Sequence, residues 1–156
     1  MEFTVEIRKL SSDFAISYPP KDYPELLLKQ GRPYTCLLLK TDYDFYICIP
    51  FRSSINHKYA YMFRNTKRSR ITKSGLDYTK MVLLKNQTFL SNDNVVVDTD
   101  EYKETIMHIE IIAKEAVSYL ESYINHVKGK VILNKNEFDR RYKYSTLAYF
   151  HKIIFE

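Results

Sequence analysis

The stretch Pro50-Phe-Arg-Ser-Ser-Ile-Asn-His-Lys58 puts two cations, two hydroxyls, an amide and an imidazole within nine residues, at the end of an apolar run. Such a set has a use in RNA cleavage. RNA carries its own nucleophile, the ribose 2′-hydroxyl, so a protein breaks the strand by aligning that oxygen with the adjacent phosphorus and stabilising the negative charge that develops. Arg52 and Lys58 suit the phosphate oxygens, and Ser53 or Ser54 can donate a hydrogen bond to them. His57, a side-chain type that titrates near neutrality, can move a proton. Arg32, ahead of the first long apolar run, is a third candidate cation. A turn rich in Ser and Asn, with a capping His, accounts for the same residues without catalysis. Both readings stand at this level.

Other chemistries find less support. His57, His108, His126 and His151 have no Cys or His at ligand spacing, and Glu104 with His108 lacks a third partner, so no metal is expected. Only Gly31, Gly75 and Gly129 are present, too far apart for a loop that wraps a nucleotide phosphate. Kinases, ATPases and Rossmann dehydrogenases are therefore excluded, and no cofactor is expected. Asp42 and Asp44 fall where a hairpin turns. Cys36 and Cys48 sit inside apolar runs and read as buried free thiols.

Charge points to the same class of ligand. The 156 residues include 24 Lys and Arg against 19 Asp and Glu, a formal net charge of +5. No acidic residue occurs between Asp44 and Asp77, whereas that span holds Arg52, Lys58, Arg64, Lys67, Arg68, Arg70 and Lys73. Without those seven cations, 17 basic residues face 19 acidic ones, so the basic character is local. Aromatic and amide side chains are interleaved with it, a mixture suited to phosphates with stackable bases. The candidate RNA contacts are Lys40, Asn56, Tyr59, Tyr61, Arg64, Lys67, Arg68, Arg70 and Lys73, with Arg140 and Arg141 from the C-terminal tail.

The elements that must position these residues read as a strand-rich half followed by a helical half, an α+β chain in a single domain over 1–156. Glu2 to Leu10 alternates as a strand. Glu25 to Gln30 reads as a short helical turn ended by Gly31. Tyr34 to Lys40 and Tyr43 to Arg52 form a hairpin about Thr41 and Asp42, and both are apolar at nearly every position, as in a small closed or half-closed barrel. Tyr59 to Phe63, Thr79 to Leu84 and Val95 to Val97 read as further strands. Tyr102, Ile106, Ile109, Ala113, Ala116, Leu120, Ile124 and Val127 make the stripe of one long helix, capped by Asp98 or Asp100 and ended by Gly129. One or two short helices follow from Asn134 to Phe155. No apolar stretch approaches a membrane span, the N-terminus has no signal-peptide core, and a cytoplasmic location is expected.

Two runs carry a family resemblance: Arg32-Pro-Tyr-Thr-Cys-Leu-Leu-Leu-Lys, and Tyr46-Ile-Cys-Ile-Pro-Phe-Arg-Ser-Ser. The chain resembles the endoribonuclease toxins of type III toxin–antitoxin systems, the ToxN, AbiQ and CptN group, most closely the CptN branch. The resemblance implies a compact small antiparallel β-barrel of the Kid and MazF toxin type, with a long helix and C-terminal helices. It implies a bacterial, metal-independent ribonuclease that leaves 2′,3′-cyclic phosphate and 5′-hydroxyl ends on cellular RNA. It also implies a small repeated antitoxin RNA, which the toxin cuts into units that bind and inhibit it in a protein–RNA hetero-oligomer. Ser53 falls on the Ser of the relatives' Thr-Ser step, Arg52 replaces the Thr, and Ile55 stands where a Lys is usual, leaving Lys58 or His57 to substitute. Arg32 falls where relatives carry a Lys. A non-catalytic RNA-binding module and a ribonuclease inhibited by a protein antitoxin are the alternatives.

Overall fold

The structure is a computed structural model that describes residues 4–28 and 34–156. Arg32 lies outside the described residues, as does the end of the turn expected over Glu25 to Gln30, of which a short 3-10 turn at Pro24–Leu26 is seen. The alternating N-terminal run forms β1 (Thr4–Lys9), which pairs with β2 (Thr35–Lys40). A hairpin leads to β3 (Tyr46–Arg52), and Cys36 to Leu39 and Ile47 to Pro50 are buried throughout, as their unbroken apolar pattern requires. Cys36 and Cys48 are buried free thiols.

β3 has two partners along its other edge. Its first half pairs with β6 (Val82–Leu84), and its end pairs with β5 (Gly75–Asp77), which in turn pairs with β4 (Ala60–Met62). Every pairing is antiparallel. β1 and β4 lie at the two ends of the strand order and do not pair, so the six-stranded sheet is open. With its helices this is an α+β fold around one continuous core.

The split between β5 and β6 shapes the site. Phe51 faces Leu76 and Cys48 faces Val82, so the chain opposite β3 carries extra residues, which coil into a 3-10 turn at Tyr78–Lys80. Thr79 and Lys80 therefore leave the strand expected from Thr79 to Leu84. The cause is Asp77, whose side chain accepts the Thr79 N–H and offers the backbone an alternative to the ladder. Pro50, which has no N–H, falls at this gap, where a strand tolerates it. Gly75 is required by close approach, since a Cβ there would lie 2.1 Å from the Tyr61 carbonyl oxygen.

The single long helix expected from the apolar stripe is two helices, α2 (Thr99–Met107) and α3 (Ile109–Val127), broken at His108 and preceded by the one-and-a-half-turn α1 (Ser12–Ser17) near the N-terminus. α3 buries Ala113, Ala116 and Leu120 as expected and ends at Gly129, whose φ of 74° suits glycine. α2 is turned over: Tyr102 and Ile106 are exposed, whereas Glu101, Glu104 and Thr105 are buried. Its neighbour is the basic loop after β4, not an apolar surface. Glu104 accepts the Tyr61 hydroxyl at 2.8 Å and the N–H groups of Arg64 and Asn65 at 3.1 and 3.0 Å. Asp98 stands at the N-cap without a side-chain capping bond, while Asp100 accepts the first-turn Glu101 N–H through one oxygen and the Lys67 N–H through the other, both at 2.8 Å. Arg68 grips Glu101 through two nitrogens, at 2.9 and 2.8 Å. Val95 to Val97 is a connector, not a strand: Val96 is 92% exposed, so the run has no apolar surface to pair against. α4 (Lys135–Tyr142), a 3-10 turn at Thr146–Phe150 and α5 (His151–Phe155) complete the chain. Among the described residues no helix is long and apolar enough to cross a membrane.

Glu104→Ala removes the acceptor of two backbone N–H groups and a buried hydroxyl. It is expected to lower stability by roughly 2–4 kcal/mol and to speed hydrogen exchange at the Arg64 and Asn65 amides. Unchanged exchange there would show that the loop does not depend on α2.

Candidate functional site

β3 ends at Arg52, and its side chain runs to Asp77, with Nη1 2.5 Å from Oδ2. His57, five residues further on, turns Nε2 to the same carboxylate, 3.1 Å from Oδ1 and 3.2 Å from Oδ2. Thr79 donates its backbone N–H and its hydroxyl to Oδ1, at 3.0 and 2.7 Å. The Asp77 side chain is fully buried, while those of Arg52 and His57 retain 28% and 31% of their exposure. A buried anion thus holds a cation and an imidazole at the surface end of a core strand. Burial pushes the Asp77 pKa up, but hydrogen bonds from His57 and Thr79, together with the His57 and Arg52 charges, outweigh it. The carboxyl stays below its ordinary 3.8.

His57 is also bound on its other side, where Nδ1 accepts the Tyr59 N–H at 3.0 Å. A ring nitrogen that accepts an N–H carries no proton, so the proton of the neutral ring lies on Nε2, towards Asp77. The expectation that His57 moves a substrate proton meets a ring with both nitrogens engaged. Nδ1 becomes available only when the Tyr59 bond opens.

Ser53 is exposed beside Arg52. Ser54 adopts a left-handed φ of 56°, held by Thr72, whose hydroxyl oxygen lies 3.0 Å from the Ser54 N and 3.1 Å from its Oγ. The Ile55 N–H donates to the Lys73 carbonyl at 2.8 Å, and the Ile55 side chain is buried. Ile55, expected to depart from the resembled pattern, thus falls on a buried position. Lys58 is exposed, its ammonium 5.7 Å from the Tyr59 ring centre. Asn56 is exposed on the same loop.

The expected RNA contacts divide. Arg64, Lys67, Arg70 and Lys73 are exposed and form no ion pair with any described residue. Arg68 is committed to Glu101. Tyr61 is buried with its hydroxyl on Glu104, so it offers no face for a base. Lys40 stands opposite Tyr46 at the far end of β3; Tyr46 is six residues from Arg52, roughly 20 Å at the rise of an extended strand, which puts Lys40 outside the cluster. Arg140 and Arg141 both bond Glu137. Arg141, Lys58 and Tyr59 nevertheless meet, lining a cleft of about 460 Å³ beside α3.

Three residues of this region carry no signal that sequence reasoning used: Asp77, Thr79 and Lys114, the last on the wall of that cleft. Asp77 had one. It is the first acid after the acid-free span and has a Thr two residues on, the pattern of a side-chain-capped turn.

No family model, curated protein or solved structure matches the chain.

Because the Asp77 pKa is lowered on folding, its contribution to stability is present above the unfolded value of ~3.9 and is lost as pH falls through the folded value. The stability of the native protein should therefore drop more steeply below about pH 4 than that of Asp77→Asn, measured by denaturant midpoints across that range. Parallel acid limbs would contradict the hub.

Proposed function

We propose that the chain is a metal-independent endoribonuclease, a toxin of a type III toxin–antitoxin system, which cleaves RNA by attack of the 2′-hydroxyl on the adjacent phosphorus. The observation that carries this reading is the convergence of Arg52 and His57 on the buried Asp77 carboxylate, beside the exposed Ser53. Burying a carboxylate to fix a cation and an imidazole at a strand end is a costly arrangement for a loop with no task. It fits a site that must stabilise a dianionic phosphorane without reorganising. Arg52 keeps donors for phosphate oxygens, since one contact to Asp77 uses only part of its guanidinium fork. Ser53 supplies a further donor, and Lys58 a mobile cation.

In this reading the strongly buried β2–β3 hairpin and the split β5–β6 strand correspond to the Kid and MazF type of barrel. The exposed cations Arg64, Lys67, Arg70 and Lys73 track the RNA backbone. The inhibitor is a small repeated antitoxin RNA bound on the same face in a protein–RNA assembly in the bacterial cytoplasm, and free toxin acts on cellular transcripts.

A second reading, non-catalytic RNA binding by the same surface, is favoured by the engagement of both His57 nitrogens. One assay separates the two. Purified protein with EDTA and a labelled mixed-sequence RNA should yield 2′,3′-cyclic phosphate and 5′-hydroxyl ends. Ser53→Ala should slow cleavage by roughly 10²–10³-fold, the cost of one lost transition-state donor, with RNA binding retained. RNA that stays intact at every protein concentration, yet is bound, would establish the second reading.

A further inference from the structure

The cleft beside α3 is contiguous with the Asp77 cluster through a single side chain. Tyr59 lies offset against the His57 ring, centroids 6.2 Å apart at 24°, and its other ring neighbour is Tyr119 of α3, also at 6.2 Å. Its backbone is fixed at both ends, by the bond to His57 Nδ1 and by the Tyr78 N–H on its carbonyl at 3.1 Å. Three cations line the cleft: Lys58, Lys114 and Arg141. The one acid among the lining residues, Glu115, is occupied by the Tyr78 hydroxyl at 2.8 Å. Arg141 is held in place by Glu137 at 2.7 Å and by the Tyr119 hydroxyl on its carbonyl at 2.7 Å, which leaves part of its guanidinium fork available.

An aromatic wall with three cations against one lining carboxylate recognises a flat ring joined to a phosphate. The volume, about 460 Å³, suits a group of that size. We infer that this cleft is a subsite for one unstacked nucleotide of single-stranded RNA, its base against Tyr59 and its phosphate among Lys58, Lys114 and Arg141. The inference rests on the ribonuclease reading for one point only, that the nucleotide adjoins the linkage placed at Arg52 and Ser53. Ser118 also lines the cleft, and its hydroxyl can contribute to the choice of base.

The probe is a short single-stranded RNA methylated at every 2′-hydroxyl, so that it is bound but not cut, followed by fluorescence anisotropy over a range of salt concentrations. Lys114 is on the exposed side of α3, so Lys114→Ala should fold normally. It should weaken binding severalfold and reduce the salt slope by about 0.7, the value of one lost phosphate contact on a single strand. Tyr59→Leu should weaken binding by roughly tenfold or more, the loss of one base-stacking contact, and Tyr59→Phe should restore it. If Tyr59→Leu does not fold, the Lys114 slope decides. Native protein that binds the probe while Lys114→Ala shows the native affinity and slope would overturn the subsite and leave the ribonuclease reading intact. Native protein that does not bind the probe at low salt would overturn both.

Discussion

A carboxylate without solvent must collect donors or be neutralised, and Asp77 collects four: one nitrogen of Arg52, Nε2 of His57, and the N–H and hydroxyl of Thr79. Much of the local architecture follows from that requirement. The Thr79 bonds pull the chain out of the ladder between β5 and β6, and the gap they open accommodates Pro50 in an otherwise buried strand. The Arg52 and His57 bonds fix both ends of the Ser53–Asn56 turn, while Thr72 and Lys73 clasp its middle. The turn is therefore held rigidly although its hydroxyls are exposed, which is the condition for acting on a substrate rather than wrapping around it.

The basic loop is organised by a second set of acids, and this decides how much of its charge reaches solvent. Asp100, Glu101 and Glu104 engage four groups of the loop and the Tyr61 hydroxyl, and most of these bonds are to backbone N–H groups. Among the described residues, only Arg68 of the loop's cations has a side-chain ion pair. The loop is thus braced without discharging Arg64, Lys67, Arg70 or Lys73. Burial raises the Glu101 pKa even though Arg68 acts to lower it, so this pair adds less to stability than its geometry alone would imply.

Where a side chain's surroundings are apolar, the sequence was readable. The β2–β3 hairpin, the buried thiols, β4, most of α3 and its glycine terminus follow directly from runs and periodicity. What was not readable involves polar residues that satisfy partners far along the chain. Periodicity assumes an apolar neighbour, so it turned α2 the wrong way round: Glu101 and Glu104 face loop residues 33 and 40 positions earlier. It also joined α2 to α3 across His108. In the site, Arg52, Ser53, His57 and Lys58 stood out by type and spacing. Asp77 did not: its turn with Thr79 is a local pattern, but its His57 and Arg52 partners are 20 and 25 residues away and leave no local record. Tyr61 shows the reverse error: an aromatic among cations reads as a stacking face until Glu104 claims its hydroxyl.

The account stands on RNA engaging the two groups that Asp77 positions. The direct measurement is the NMR spectrum of the His57 ring nitrogens and the Arg52 guanidinium, recorded before and after saturation with 2′-O-methylated single-stranded RNA. The Arg52 and His57 signals, from the two groups held by Asp77, should both shift on binding. RNA that binds to saturation while leaving both groups unmoved would contradict it.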